Sequence, residues 1–379
     1  MIIREVKAKK IKDSRGDYTI EVSVNKCKAS SPSGKSVGKY ETPSYHGSIE
    51  WNIKVINHLN IDFEINKFED LEKVEELIKS KTKIKDVKLF GANALFALES
   101  AILKALAKSE KKELWQIINE KARKFPTPVG NAVGGGLHSE GFENHPFFQE
   151  FLLIPKEGSF EEKVKTMKEV YASVGNLIDA DKKNDEGAWQ TSLNEIEIFD
   201  ILSMFKDKVN LGTDIAANSF YENGNYKYKV TFSRDKQISY VNMLIDKYDL
   251  FYVEDPVQEE DYFGFSLIKK KHLVVGDDLT VTHIKRLEKA IKYKSINAII
   301  IKPNQNGSLL EVKKIFEICN AHGIKTVVSH RSGETMDDAL ADIAFGFGAD
   351  YIKTGIAMKW REAKLNRLIE IEKLLKSKV

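Results

Sequence analysis

The second half of the chain alternates short apolar runs with longer amphipathic stretches. Runs such as 273–276 and 298–301 have the length of buried strands, and a helix-like stretch follows each of them. Successive runs begin about one strand–helix unit apart, since a parallel return needs a crossover of a dozen or more residues. The pattern predicts regular strand–helix alternation from VNLGTD (209–214) onward.

A charged or polar side chain stands at or directly after the end of each of these runs. These residues are Asp214, Glu254, Asp277, Lys302, His330 and Lys353. Side chains at the carboxyl ends of successive parallel strands meet at one face of a (β/α) barrel, where such enzymes have their active sites. The spacing therefore predicts an α/β barrel with one site built from these residues.

The first part of the chain has a different pattern. Residues 2–13 and 17–30 read as two strands joined by a turn at 14–16, and helical periodicity follows. The helical stretches are 49–59, 68–80 and 92–109. Strands followed by helices indicate a small α+β domain, which we place at residues 1–123, with a barrel domain at 124–379. Pro126 and Pro128 mark the boundary.

The segment between the boundary and residue 209 alternates less regularly. Residues 149–155 read as a strand, and 159–180 and 193–205 read as helices. A further strand-like piece at 225–233 is interpreted as an insertion in the gap between Asp214 and Glu254.

Composition narrows the function classes. The 379 residues carry a net charge of only +3, and no clustered basic excess indicates a nucleic-acid partner. We expect no membrane partner, because no apolar run is long enough to span a bilayer. The two cysteines cannot form a disulfide framework. Together with a start that lacks a signal peptide, this leads us to expect a cytoplasmic protein.

Three of the strand-end residues are carboxylates, at Asp214, Glu254 and Asp277. Oxygen donors without a Cys/His pattern favour a hard divalent cation such as Mg²⁺ over zinc. A single acidic residue after a strand is more often a helix N-cap, a role that Asp255 and Asp278 could take. Three consecutive strand ends favour the metal.

The remaining strand-end residues are cationic or hydrogen-bond donors. Lys302 is either a lysine that extends from its strand end to water or a desolvated base near a metal. Lys353 is a second cation for an anionic substrate. The run 330–332, His-Arg-Ser, is either a capped turn or a binding site for phosphate or carboxylate.

Specific motifs carry a resemblance that runs nearly end to end. They are PSGKS, GANALFALESA, GGLH, QEF, NDEG, VEDP, DDLTVT, KPNQNGSL, SHRSGET and IKTG. In these motifs and their order the chain resembles the enolase family. The resemblance implies an α+β cap on a modified barrel, consistent with the irregular segment before residue 209.

The resemblance also implies roles, residue by residue. Reversible dehydration of 2-phospho-D-glycerate to phosphoenolpyruvate, a step of glycolysis and gluconeogenesis, is the implied reaction. The implied catalytic residues are Lys302 as base, Glu186 as acid and Glu150 beside it. The implied substrate-binding residues are His138, Gln149, His330, Arg331, Ser332 and Lys353. Asp214, Glu254 and Asp277 would hold one Mg²⁺, and Ser36 would help to hold a second that binds with substrate. A homodimer or higher homo-oligomer is also implied.

The chain departs from the family pattern at several places. Lys35 replaces a small residue, Gly134 stands where the family has Asn, and the segments after Glu186 and after IKTG are shortened. Two alternatives therefore stay open beside the enolase reaction. One is a paralogue that acts on a related phosphorylated or hydroxylated acid, and the other is a catalytically silent binding homologue.

Overall fold

A computed structural model describes residues 1–35, 38–139 and 141–377. Its amino-terminal part opens with an antiparallel three-stranded sheet in the order β1–β2–β3. The strands are β1 (Val6–Lys12), β2 (Tyr18–Val24) and β3 (Cys27–Ser30). The predicted strand at 17–30 is therefore a hairpin. Asn25 and Lys26 have φ of 46° and 68°, which is the two-residue turn geometry that matches strand twist.

Four helices follow this sheet, and the predicted helical stretches are confirmed. They are α1 (Ile49–Asn57), α2 (Leu71–Thr82), α3 (Ala92–Glu110) and α4 (Leu114–Asn119). Single turns of 3₁₀ helix at Phe68–Asp70 and Val87–Phe90 precede α2 and α3. Helix α3 is buried along most of its length, because it packs on the sheet and also contacts the barrel. This explains why its sequence is apolar almost all round.

Eight strands close into a barrel. They are β4 (Thr127–Gly134), β5 (Glu150–Pro155), β7 (Val209–Asp214), β11 (Tyr252–Glu254), β12 (Leu273–Gly276), β13 (Ala298–Ile301), β14 (Lys325–Ser329) and β15 (Tyr351–Lys353). Pairing of β15 with β4 completes the ring. A two-residue strand β6 (Trp189–Gln190) pairs with the carboxyl end of β4, beyond the residues that pair with β15.

One barrel strand runs against the others. Strand β5 pairs antiparallel with both β4 and β7, while the remaining pairs of the ring are parallel. Consequently the amino end of β5, not its carboxyl end, lies at the rim where the other strands end. The sequence predicted a modified barrel, and this reversed strand is the modification.

Helices surround the barrel. They are α5 (Phe160–Leu177), α6 (Glu195–Leu202), α7 (Arg234–Tyr248), α8 (Tyr262–Ser266), α9 (Ile284–Lys292), α10 (Pro303–Asn306), α11 (Leu309–Ala321), α12 (Ala339–Gly346) and α13 (Lys359–Lys376). Further 3₁₀ turns lie at Gly136–Ser139, Ser203–Phe205 and Ala217–Phe220. No helix within the described ranges is both long and apolar enough to cross a bilayer.

The predicted insertion near residues 225–233 is a small antiparallel sheet. Its strands are β8 (Tyr221–Glu222), β9 (Asn225–Lys227) and β10 (Thr231–Phe232). The single predicted strand is thus a pair, with a third strand before it.

The interior of the barrel is filled by side chains. Its buried residues are Val129, Leu152, Ile154, Tyr252, Val275, Ala298, Ile300 and Val327. A packed apolar interior leaves no channel, so polar chemistry is confined to the rim.

Candidate active site

The six polar residues predicted from the strand ends all lie at the same rim of the barrel. Asp214, Glu254 and Lys353 end their strands, and Asp277, Lys302 and His330 directly follow theirs. All but Glu254 line one cavity of about 210 Å³. Glu254 lies in the wall beneath it and is fully buried.

The same cavity brings in residues from distant parts of the chain. The further predicted residues that line it are His138, Gln149, Glu150, Glu186, Arg331 and Ser332. Ser36, which the resemblance links to a second metal, lies outside the described residues. The reversed strand β5 supplies Glu150 from its first position, directly after Gln149.

Three carboxylates form a row across adjacent strands. Glu150 is paired in register with Asp214, and Asp214 with Glu254. Burial raises the pKa of Asp214, and burial together with the charge of Asp214 raises the pKa of Glu254 well above its ordinary range. The row is therefore a set of carboxyl groups that ionise less readily than usual, because they lie in a desolvated wall.

Lys353 is the cation that faces this row. Its Nζ lies 3.1 Å from Asp214 Oδ2, 2.8 Å from Glu254 Oε2 and 2.9 Å from Glu150 Oε2. Burial by itself lowers the pKa of the Lys353 ammonium, but the carboxylates, Asp214 first, raise it well above its ordinary value. One ammonium therefore interacts with three carboxyl groups, so the row contains more carboxyl groups than cations.

The residues present fit a hard divalent cation. Their donors are carboxylate oxygens, and Oε1 of Glu254 is buried without a hydrogen-bond partner among the described residues, while Oε2 accepts from Tyr252 and Lys353. A second acidic group stands beside the row: one carboxylate oxygen each of Asp255, Asp277 and Asp278 lie within 4.8 Å of one another. Asp214 and Glu254 share Lys353, whereas Asp277 pairs with Lys302 and groups with Asp255 and Asp278. The structure therefore does not bring the three predicted ligands within 4.8 Å of one another.

The alternative role for Asp255 and Asp278, as helix caps, is wrong. The carboxylate of Asp255 accepts the backbone N–H groups of Asp277 (3.1 Å) and Asp278 (2.8 Å), and so ties together the ends of neighbouring strands. The helices that follow begin at the N-caps Asp261 and His283 instead.

Lys302 and Asp277 form a buried ion pair. Lys302 Nζ donates to Asp277 Oδ2, and the Asp277 carboxylate also lies 3.5 Å from Gln305 Nε2. Burial lowers the pKa of Lys302, but the charge of Asp277 outweighs it and the pKa is raised. Lys302 is therefore protonated as long as Asp277 is its partner. The amine can accept a proton only after the Asp277 carboxylate has bound another group.

A second group in the cavity consists of two carboxyls and a histidine. One ligand atom each of Glu150, Glu186 and His330 lie within 4.8 Å of one another. Burial raises the pKa of Glu150, and the charge of Glu186 adds to the effect. Burial also opposes ionisation of Glu186, but the charges of His138 and Arg361 outweigh it and lower the pKa of Glu186. Two adjacent buried carboxyls do not both ionise readily, so a proton shared by the pair lies on Glu150.

His138 supports the same group. Its Nδ1 bonds Asp185 Oδ1 at 3.0 Å, and its Nε2 lies 3.9 Å from Glu186 Oε1. Burial opposes the charged ring, but the carboxylates of Glu186 and Asp185 raise the pKa of His138 to about 9. The imidazolium therefore faces Glu186 as a positive charge at neutral pH.

Arg331 is paired with a carboxylate that sequence reasoning did not find. Its Nη2 lies 3.1 and 2.9 Å from the two oxygens of Glu41, and both side chains are buried. Ser332 Oγ accepts the backbone N–H of Lys35 at 2.7 Å. Arg331 and Ser332 thus meet the loop that contains Lys35 and Glu41.

Arg361 of helix α13 holds the run 330–332 in place. Its guanidinium donates to the carbonyls of Arg331 and Ser332 and to Nδ1 of His330. Because arginine only donates, Nδ1 accepts and the ring proton of His330 lies on Nε2. Burial, with the charge of Arg361, lowers the pKa of His330 well below its ordinary value, so the ring is neutral.

Sequence reasoning missed Glu41 and Arg361 for a simple reason. Both are charged residues in segments whose pattern looks solvent-exposed, a glycine-rich loop and an amphipathic helix. Only their burial in the fold marks them: Arg361 is 1% exposed, and the side chain of Glu41 is 6% exposed.

Two family models together match nearly the whole chain. The model described as "Enolase, N-terminal domain" matches residues 3–118, and the one described as "Enolase, C-terminal TIM barrel domain" matches residues 122–379.

Curated relatives agree with these matches over their full lengths. The enolase of Thermoplasma acidophilum is 34% identical, and the alignment covers 99% of both chains. The enolase of Archaeoglobus fulgidus is 35% identical over 99% of this chain and 98% of its own. The enolase of Ehrlichia ruminantium is 34% identical over 98% of this chain and 96% of its own. The chain therefore belongs to the enolase family.

Proposed function

We propose that this chain catalyses the reversible, Mg²⁺-dependent dehydration of 2-phospho-D-glycerate to phosphoenolpyruvate, as a step of glycolysis and gluconeogenesis. Family membership makes it a hydro-lyase. The observation that carries the proposal is one cavity lined by Lys302, a buried carboxyl pair, Arg331 and Ser332. In the ring of strands, β5, which begins with Glu150, lies halfway round from β13, which Lys302 follows.

Lys302 is the base for the α-proton. It is buried on the acidic side of the cavity, so its amine is desolvated and can be aimed at one face of the substrate. Its proton affinity depends on Asp277, and the step needs that carboxylate turned away from the amine.

Glu186 is the acid that assists departure of the hydroxyl, and Glu150 supports it. Burial and the charge of Glu186 raise the pKa of Glu150, so Glu150 would keep a proton within reach of Glu186. The place of the pair across the cavity from Lys302 suits an elimination in which the proton and the hydroxyl leave from adjacent carbons.

The cationic and hydrogen-bond-donor residues would bind the phosphate and carboxylate groups of the substrate. Arg331 and Ser332 would hold the phosphate, and Lys353 would contact the carboxylate. Gln149, His138 and His330 complete the wall. Because Glu41 already pairs with Arg331, an incoming phosphate must displace or share that partner.

The proposed Mg²⁺ site is based on the row of carboxylates. Asp214, Glu254 and Asp277 would hold one Mg²⁺, and Ser36 would help to hold a second one together with substrate. When bound, such ions supply Lewis acidity worth several kcal/mol to the developing negative charge of the substrate carboxylate.

We also propose a domain boundary, a cellular location and an oligomeric state. We place the boundary between cap and barrel at residues 123 and 124, within the segment that joins α4 to β4. A cytoplasmic location is supported by two free thiols, at Cys27 and Cys319. A homodimer or larger homo-oligomer is supported by the family resemblance, and light scattering after size-exclusion chromatography tests it.

The test combines turnover with solvent exchange. Purified protein with Mg²⁺ should convert 2-phosphoglycerate to a product that absorbs in the ultraviolet, and chelation should stop it. Lys302→Ala should abolish exchange of the α-hydrogen with deuterium. Glu186→Gln should slow turnover by ~10²–10⁴-fold yet keep measurable exchange, because the first step does not need the acid.

Lys325→Ala is the matched control. Lys325 begins a barrel strand at the end away from the cavity and pairs with Asp350, so its loss should leave both measurements near wild type. Persistent α-hydrogen exchange in Lys302→Ala would show that another residue is the base.

A further inference from the structure

Gly134 and Asn184 are in contact at the edge of the cavity. Gly134 is the last residue of strand β4, and a Cβ added there would stand 2.2 Å from Nδ2 of Asn184 and 3.1 Å from its Cγ. Real Cβ atoms do not approach other atoms so closely. Gly134 does not have a positive φ, so glycine is required here for space and not for backbone conformation.

Asn184 organises the loop that carries Glu186. Its Oδ1 accepts the backbone N–H groups of Glu186 and Ala188, each at 3.0 Å. The backbone closes the same turn, with Asn184 N–H bonded to the carbonyl of Ala188 at 2.9 Å and Gly187 N–H to that of Asn184 at 3.0 Å. The side chain is 7% exposed. One carboxamide therefore holds the turn on both sides of Glu186.

Gly134 also fixes where this turn stands relative to Glu150. In the β4–β5 pairing Gly134 lies directly opposite Glu150. The carboxamide of Asn184 rests on the bare backbone of Gly134, so the turn approaches the strand end closely enough for Glu186 and Glu150 to come within 4.8 Å. A side chain at position 134 would push the turn away from Glu150.

We propose that Gly134 and Asn184 act as a matched pair of positioning residues that set the place of Glu186 in the dehydration step. The inference rests on the proposed function and deepens it. Neither residue contacts the reacting atoms. Asn184 fixes the turn, and the missing side chain of Gly134 lets that turn reach the carboxyl pair.

The proposal predicts a selective defect. Displacement of a catalytic group by about 1 Å can cost ~10²-fold in rate. Asn184→Ala and Gly134→Ala should each lower kcat for dehydration of 2-phosphoglycerate by about this factor. Exchange of the α-hydrogen with deuterium should stay within about threefold of wild type, because that step uses Lys302 on the other side of the cavity.

The double variant tests the contact itself. Asn184→Ala removes the atoms that a Cβ at position 134 would strike. Adding Gly134→Ala to Asn184→Ala should therefore lower kcat only a little further. The effects of the two substitutions on kcat should thus be strongly non-additive. Fully additive losses in kcat would mean that the two residues act separately, and would overturn the proposal.

Asn297→Ala is the matched control, because it removes another side-chain carboxamide that bonds to the backbone. Asn297 also clamps backbone groups, the N–H of Val274 at 2.7 Å and the carbonyl of His272 at 2.6 Å, but before strand β13 at the far end of the barrel. It should lower the melting temperature without separating dehydration from exchange.

The measurements distinguish a failure of the proposed function from a failure of the positioning role alone. A wild-type protein that neither exchanges nor dehydrates 2-phosphoglycerate would overturn the proposed function and this inference with it. An active wild type whose Asn184→Ala and Gly134→Ala variants lose both activities in parallel, or neither, would overturn the positioning role alone.

Discussion

Three cations of the cavity are matched to carboxylates within the protein. Lys302 pairs with Asp277, Lys353 with the row that starts at Glu150, and Arg331 with Glu41. Buried charges need such partners, because an unpaired ion in a desolvated wall is very costly. An anionic substrate must therefore exchange one set of pairs for another, and binding rearranges charge that is already present.

His138 gives this charge balance a measurable readout. Its pKa of about 9 reflects the carboxylates of Glu186 and Asp185 acting against burial. Glu186→Gln should lower the pKa of His138, which nuclear magnetic resonance of the imidazole protons can follow. A pKa that stays near 9 in this variant would show that Glu186 is not the source of the shift.

The sign of the stability effect follows from the same shift. The folded pKa of His138 lies above the ordinary value of about 6.5, so the fold favours the charged ring. Its contribution to the free energy of unfolding is fully present below about pH 6.5 and is lost as the pH rises through about 9. Glu186→Gln should reduce that pH dependence.

Residues at strand ends could be predicted from the sequence, and their structural partners could not. Asp214 and Lys353 follow from a repeating pattern, since each repeat brings its last residue to the same rim. Glu41 and Asn184 belong to no repeat, and the contacts they make depend on how distant segments meet.

Helix α13 acts on the site through one side chain. Arg361 satisfies the carbonyls of Arg331 and Ser332 and fixes the ring of His330, all from the outer layer of helices. The helix was predictable from its periodicity, but its role was not, because periodicity tells which face is buried and not what a buried charge contacts.

Arg361→Met should remove these donors while keeping much of the side-chain volume. Hydrogen bonds to charged groups contribute about 1.5–3 kcal/mol each, so the melting temperature should fall clearly and KM for the phosphorylated substrate should rise. Arg367→Met on the same helix is the control. It breaks the contacts to Asp342 and Glu113 and should lower stability while leaving KM unchanged. Equal KM values for the two variants would contradict the role of Arg361.

Cap and barrel are joined through polar contacts that sequence patterns do not reveal. Asn304 donates to the carbonyl of Pro32 at 3.0 Å and to Oδ1 of Asn93 at 2.9 Å, and Ser30 Oγ bonds Thr335 Oγ1 at 2.8 Å. The two-part organisation was predictable from the change of pattern along the chain. The way the parts meet was not, because the contacting residues are far apart in sequence.

Glu99 of the cap provides a test of this junction. It is fully buried, accepts the N–H of Leu309 at 2.7 Å, and stands beside Glu75. Burial, then the charge of Glu75, raises the pKa of Glu99 well above its ordinary value. The wild-type protein therefore loses stability as the pH rises above about 4.5, where the unfolded chain ionises and the fold does not.

Glu99→Gln removes this titration and keeps an acceptor for Leu309. Its stability relative to wild type should increase between about pH 4.5 and pH 7, as measured by denaturant unfolding. A difference that does not change with pH would mean that Glu99 is ionised in the fold.

The reversed strand β5 limits how this barrel can vary. In a regular barrel every strand ends at the rim and opens a loop of its own, which can lengthen or change chemistry independently of the others. Here β4 ends and β5 begins at the same rim, so one hairpin replaces two such loops. That hairpin carries His138 near its start and Gln149 and Glu150 at its end. An insertion into it would move His138, Gln149 and Glu150 together, so these three positions cannot be varied independently in the way that separate loops of a regular barrel allow.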